Sequence, residues 1–295
     1  MAKSRGRKSL TRTVDSSTLP LFASAMRRAE PAADLVRVEG RPDFLSCGLK
    51  NIDRPLGGGF PVGGLTLVAA RATAGATSFF IGAALGAVGR GERVAYFSER
   101  IPIEQLRGRF VVLESRVNGF RVRAGFLSAE DRLALAAARE RIPWNSLGLV
   151  CRRTIHTPEI DGHIFSYRPW LVLADIKPKA PEAQHARGYE GLVEGVQRLR
   201  QIAARHKIAL VLRWIMPKGR HRAQPEELPQ LGDFANYFDS ALFLHRDEID
   251  EADANEAQNV GRAAATIFRL KGRRIEPREA PLRFDQRFAG LFDAP

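Results

Sequence analysis

Leu65 to Phe80, LTLVAARATAGATSFF, is the stretch that most constrains this chain. An alternating apolar and β-branched run, Leu65–Ala69, breaks into small residues and passes into Ser78–Val88, which is rich in residues that helices tolerate. Strand, loop and helix in that order form the context of a phosphate-binding loop, G-x-x-x-x-G-K-[ST]. In such a loop backbone N–H groups and a helix N-terminus surround the phosphates, the Lys reaches the β/γ oxygens and the hydroxyl holds Mg²⁺. Read in that register, Gly75 and Thr77 stand in place, Ser78 follows, and the lysine position is Ala76. The context predicts the fold, while the missing charge argues against the chemistry. A Gly/Ala-rich strand-to-helix turn with no ligand is the competing reading.

At 295 residues and 44% hydrophobic, the chain is long enough for a full core. No run approaches the roughly 18 apolar residues of a membrane span, and the basic start MAKSRGRKSLTRT lacks the apolar segment of a signal peptide. A soluble, cytoplasmic protein without membrane contact is expected. Cys47 and Cys151 have no CxxC spacing and read as inert core residues. Lys and Arg total 46 against 33 acids, and the net charge of +13 makes nucleic acid the first partner to test.

Residues 1–37 read as a flexible basic arm with a short amphipathic helix at Ser17–Glu30, which alone cannot bury its apolar face. Residues 38–295 read as one core domain. Arg41–Asp53 leads to the Gly-rich turn LGGGFPVGG, which forces a loop before the first core strand. Strands are expected at Arg93–Phe97, Leu147–Cys151, Ile208–Leu212 and Ser240–Leu244, and PWLVLAD at Pro169–Asp175 has the form of a Walker B strand whose acid orients Mg²⁺. Helices are expected over Pro102–Asn118, over Ser128–Arg141, which opens on an S-x-x-D capping signature, and over Gly191–His206. Ala263–Leu270 and Leu282–Phe284 close as an antiparallel pair. The alternation predicts an α/β fold with a mostly parallel central sheet flanked by helices.

Several separated stretches resemble, in order, the C-terminal motor domain of DnaB-type replicative helicases. They are SCGLKNIDRPLGGGFPVGGLTLVAAR, VAYFSERIPIEQLRGR, SRVNGFRVRAGFLSAED, PWLVLAD and ALFLHRDE, spanning roughly residues 40 to 290. The resemblance implies a RecA-like P-loop core, ring assembly, nucleotide between subunits and single-stranded DNA in a central channel. It also implies that the catalytic positions are degenerate. The P-loop Lys is Ala76, Arg100 stands where the family keeps its water-activating Glu, Trp214 replaces the γ-phosphate-sensing Gln, and R-E-S-G becomes Leu231, Gly232, Asp233 and Phe234. Thr77 and Asp175 survive as Mg²⁺ groups, and Arg269 with Lys271 hold the places of the basic pair that reaches a neighbouring subunit's nucleotide. Ala76 alone would suit an engineered disabling substitution; loss of the Glu and Gln as well favours natural decay.

Arg71, Gly75, Thr77, Ser78, Asp175, Arg269 and Lys271 are therefore the expected remnant of a nucleotide site. Arg71 and Arg100 either replace the lost Lys as an anion clamp or fill its place by pairing with Asp175 or Glu99. The loops carrying Lys177, Lys179 and Arg187, and Lys218, Arg220 and Arg222, fall where the resemblance places the DNA-channel loops, and suit backbone contacts to single-stranded DNA. Trp214 is open to base stacking or to a core role. The expectation is a pseudo-ATPase of replication or its control. It would require no cofactor, keep ATP, ADP and Mg²⁺ only as residual ligands, bind DNA or a replicative helicase or other replication protein, and form homo- or hetero-oligomers. An active ATP-dependent helicase and an inert scaffold in a mixed ring are the rival expectations.

Overall fold

The computed structural model describes residues 42–178, 189–217, 235–246, 260–269 and 277–295. The expected arm and helix at 1–37 lie outside those residues. The core is a nine-stranded sheet in the order β11-β10-β9-β8-β3-β7-β6-β4-β5. Its strands are β3 (Leu65–Ala70), β4 (Val94–Ser98), β5 (Leu147–Cys151), β6 (Leu171–Asp175), β7 (Ala209–Ile215), β8 (Ser240–Arg246), β9 (Val260–Arg269), β10 (Arg278–Asp285) and β11 (Gly290–Asp293). Strands β8, β3, β7, β6, β4 and β5 run parallel, and β9, β10 and β11 add on antiparallel. The expected parallel sheet and C-terminal hairpin are both present.

Strand β3 sits between β7 and β8, so both its faces must be apolar. Leu65, Leu67 and Ala69 enter one hydrophobic cluster while Val68 and Ala70 enter the other. One face is covered by α2 (Ala76–Gly89) and α3 (Ile103–Ser115), the other by α6 (Thr157–Tyr167) and α7 (Tyr189–His206). On the α2 face Phe60, Phe79, Phe80, Tyr96, Phe110 and Trp144 form a chain of mostly edge-to-face contacts with centroids 5.9 to 6.4 Å apart. Small helices α4 (Gly119–Ala124) and α5 (Ala129–Arg141) lie beyond α3. The S-x-x-D signature works as read: the Asp131 N–H donates to Ser128 Oγ at 3.1 Å, and the Ser128 N–H to Asp131 Oδ2 at 3.0 Å.

Several elements have no counterpart in the sequence expectation, among them α4 and α6. The short pair β1 (Phe44–Leu45) and β2 (Phe60–Pro61) brackets a helix, α1 (Lys50–Leu56), where a loop approach is expected. Pro55 lies inside α1 but in its last turn, where the helix is about to end at Gly57. The C-terminal β11 is also additional. Its Asp293 carboxylate accepts the Lys50 and Asn51 N–H groups at 2.8 and 2.9 Å, so the end of the sheet caps α1.

His163 on α6 gives the fold a pH response. Its ring lies 5.4 Å from Phe97 and 5.5 Å from Tyr167, and burial pushes its imidazole below the ordinary range. The unfolded chain therefore holds this proton more readily, so the stability it contributes is present above about pH 6.5 and declines as pH falls below it. His163→Phe is expected to flatten that acid limb, measured as urea midpoints at about pH 5 and about pH 8.

Candidate functional site

The phosphate-loop backbone is built as the sequence predicts. β3 ends at Ala70, the loop turns through Thr73 and Gly75 in left-handed conformations (φ 70° and 98°), and α2 starts at Ala76. No side chain caps α2, and no acid lies in its first turn. The N–H groups of Ala76, Thr77 and Ser78 have no acceptor among the described residues. This is the arrangement of orphan donors that favours an anion.

The far side of the loop is held shut by the chain's own end. A Cβ at Gly75 would lie 3.2 Å from Leu291 Cδ1 on β11 and 3.3 Å from Phe284 Cδ2 on β10. Arg246, stacked 4.4 Å from the Phe284 ring centroid, reaches the Thr73 carbonyl at 3.4 Å. Burial pulls its guanidinium below the usual arginine range. Arg71 Nη1 donates to the Pro217 carbonyl just past β7.

The centre of the site is Arg213, a residue that the sequence reading passes over. β7 places it beside Val68 of β3, on the α2 face. Its Nη1 donates to Asp175 Oδ2 at 2.9 Å and to Thr77 Oγ1 at 3.0 Å. The side chains of Arg213 and Asp175 are 6% and 2% exposed, so this is a buried ion pair. The partner of Asp175 is thus Arg213, not Arg71 or Arg100 as the sequence allows. Nearby, burial and then the Asp175 charge push the Tyr96 phenol well above its ordinary range, and its hydroxyl has no partner among the described residues.

Thr77 and Asp175 are the two groups a loop of this kind offers to Mg²⁺, one directly and one through water. Here both are bound by one guanidinium, whose positive charge stands where a dication would have to sit. The residues present do not fit the metal. Among the described residues no group of three or more His, Cys, Asp or Glu could hold one elsewhere.

Glu99 and Arg100 follow β4. Arg100 is exposed. Glu99 accepts the Ile155 N–H at 2.8 Å through Oε1 and the Lys177 N–H at 2.9 Å through Oε2. It therefore ties the loops after β5 and β6 to the end of β4. Both its oxygens accept backbone N–H groups. Trp214 points to the opposite face from Arg213 and packs against the second hydrophobic cluster. Arg269 ends β9 opposite Ser240. Lys271, Leu231, Gly232, Asp233, Phe234, Lys179, Arg187, Lys218, Arg220 and Arg222 lie outside the described residues, while Lys177 is exposed at the end of β6. Cys47 is buried and Cys151 half-buried, both as free thiols.

Part of the chain, including the loop, matches a known family model. Residues 45–168 match the model of the DnaB-like helicase C terminal domain. The match contains the loop and Glu99 and ends before β6, so Asp175 and Arg213 lie outside it. Among solved structures, the ATPase domain of G40P superposes with a TM-score of 0.73 at 16% identity, covering 96% of this chain and 99% of that one. A DnaB-like replicative helicase, solved in a study of its interactions with primase, gives 0.72 at 16% identity over 96% of this chain and 69% of that one. The KaiC-like protein PH0186 from Pyrococcus horikoshii OT3 gives 0.56 at 14% identity, covering 85% and 99%. These likenesses establish a RecA-like fold. No curated protein matches the sequence. No helix among the described residues is long and apolar enough to cross a membrane.

Proposed function

We propose that this DnaB-like protein is catalytically degenerate and acts in DNA replication or its control by binding DNA, a helicase partner or both, without hydrolysing ATP. The observation that carries the reading is the Arg213 guanidinium held between Thr77 and Asp175 behind a loop that has Ala76 in place of lysine. Phosphoryl transfer to water needs charge on the γ-phosphate and a group that orients the nucleophile. Here the lysine is gone, the metal groups are engaged, Arg100 replaces the carboxylate, and Glu99 is bound to backbone. An arginine does not act as a base near neutral pH.

The DNA side of the proposal rests on the net charge of +13, on the basic sequence segments that follow β6 and β7, and on Lys177, which is exposed two residues after β6. Contacts of that kind grip the phosphate backbone of a single strand and do not read sequence. Oligomer formation, alone or with an active helicase, and a cytoplasmic location belong to the same proposal.

The test is steady-state ATPase activity with and without single-stranded DNA, beside DNA affinity by anisotropy across a salt series. Turnover is expected at background in both conditions, and affinity is expected to fall by orders of magnitude between about 0.05 and 0.2 M salt. DNA-stimulated turnover that disappears in Asp175→Ala would overturn the reading and favour an active helicase. No DNA binding at low salt, with a defined protein partner, would favour the scaffold role.

A further inference from the structure

We propose that the exposed face of β9, β10 and β11 is a second nucleic-acid surface, on which Arg116, Arg262 and Arg283 take the phosphate backbone of a single strand. It lies apart from the segments after β6 and β7. In the sheet order β10 is four places from β7, roughly 19 Å at about 4.8 Å per strand. The inference goes beyond the functional reading, which puts its DNA contacts on those segments.

Unpaired charge marks this face. Arg262 on β9 stands directly opposite Arg283 on β10, and both side chains are exposed. Like charges set opposite each other across an antiparallel pair destabilise it, and an anion between them relieves the cost. Arg116, which follows α3 at φ 59°, is the third member. Its guanidinium lies 4.3 Å from the Phe292 centroid and 4.9 Å from that of Phe288, and Arg283 stands 5.5 Å over Phe292. Burial pulls Arg116 below the usual arginine range, and the Arg283 charge adds to that pull while Glu114 and Asp285 oppose it.

The nearby carboxylates are engaged elsewhere. Asp285 accepts from Arg287 through both oxygens at 2.7 and 3.1 Å, Glu114 accepts from Arg141 at 3.1 Å, and Asp293 caps α1. Among the described residues no ion pair includes Arg116, Arg262 or Arg283. Stacking on a ring holds a guanidinium in place and leaves its N–H edge for an acceptor, in a fork that matches phosphate oxygens.

The pattern selects a run of phosphates. Guanidinium groups spread over an open sheet face suit a chain of charges that fixes register without reading sequence. A folded partner is the poorer fit, because the core of a protein interface needs apolar surface to bury. Phe288 and Phe292 already pack against the first hydrophobic cluster beneath their arginines. The start of α4 is tied to the same place, since the Gly119 N–H donates to the Arg287 carbonyl. Beside it Phe120 is 52% exposed, with Arg123 4.7 Å from its centroid. An exposed ring next to a row of arginines offers a stacking platform to an unpaired base.

The experiment is anisotropy on the full chain with oligo-dT across a salt series, beside urea unfolding of each variant. Each phosphate contact to a single strand adds about 0.7 to the slope of log affinity against log salt. Arg262→Gln with Arg283→Gln is expected to lower that slope by about 1.4 and to weaken binding at low salt at least about tenfold, and Arg116→Gln to lower it by about 0.7. The urea midpoint of the double variant is expected to hold or rise, because the like-charged pair is gone; a purely structural role would lower it. Arg168→Gln with Lys207→Gln removes the same charge just before β6 and β7, at the opposite end of the parallel strands, and is expected to leave the slope unchanged. Phe120→Ser is expected to weaken oligo-dT about fivefold or more at constant slope. A wild-type slope in the Arg262 and Arg283 variant, an equal loss in the Arg168 and Lys207 variant, or unchanged affinity in Phe120→Ser would overturn the inference. Poly-glutamate bound by wild type and lost by the Arg262 and Arg283 variant would also overturn it, and would assign the face to an acidic protein. Loss of oligo-dT in Lys177→Gln with none in the arginine variants overturns this inference and leaves the functional reading standing.

Discussion

Arg213→Ala is expected to lower the unfolding free energy by about 3–5 kcal/mol, the cost of leaving one member of a buried ion pair without its partner. Asp175 is 2% exposed and its side chain has one described partner, Arg213. Truncating the arginine strands a carboxylate inside the sheet, beside the buried Tyr96 hydroxyl, and removes the donor to Thr77. Replacing both partners by apolar residues of similar volume is a different experiment. Arg213→Met with Asp175→Leu removes the desolvation cost along with the attraction, and its stability is expected to return to within about 1–2 kcal/mol of wild type. Urea midpoints of the two single variants and the double variant measure the coupling. If Arg213→Ala is neutral, the pair is not the staple of the site and the assignment of Arg213 as its internal cation fails.

Most of the fold is written locally in the chain. Leu65–Ala69, Leu147–Cys151 and the S-x-x-D start at Ser128 are each set by neighbours a few residues away, by alternation or by a cap, and the structure has all three. Other elements have no local signature. β1 and β2 are two residues each and exist because they pair with one another across α1. β11 is fixed by β10 and by the use of Asp293 to cap α1. The same distinction runs through the site. Ala76, Gly75 and Thr77 are legible because the loop motif is contiguous. Arg213 is not, because its meaning depends on β7 lying between β3 and β6, an order no local pattern encodes. One signal was available. In ALVLRWI an arginine interrupts an apolar run long enough to be a buried strand, and a charge in that position is rarely buried unless it is paired. The only acid that ends a neighbouring apolar strand is in LVLAD.

Glu99→Ala is expected to cost about 2–3 kcal/mol of stability, the worth of hydrogen bonds to a charged acceptor together with the partly buried donors left behind. The side chain stands one residue before Arg100, which the sequence resemblance aligns with a water-activating Glu, so a reading by proximity would make Glu99 a replacement base. The geometry assigns it to the scaffold. One oxygen holds the Ile155 N–H at 2.8 Å and the other the Lys177 N–H at 2.9 Å, while the Glu99 N–H itself donates to the Asp175 carbonyl at 3.1 Å. The residue binds three adjacent strand ends, β5, β4 and β6, at the edge where the Walker B acid emerges. Glu99→Gln separates the two roles. An amide keeps one acceptor and turns a donor toward a backbone N–H, so about half of the loss, on the order of 1–2 kcal/mol, is expected to persist. A base would behave differently: Gln would remove turnover and leave the thermal midpoint in place. Thermal and urea unfolding of both variants, beside their ATP turnover, tell these apart. A stability loss graded from Gln to Ala with turnover at background throughout makes Glu99 a brace.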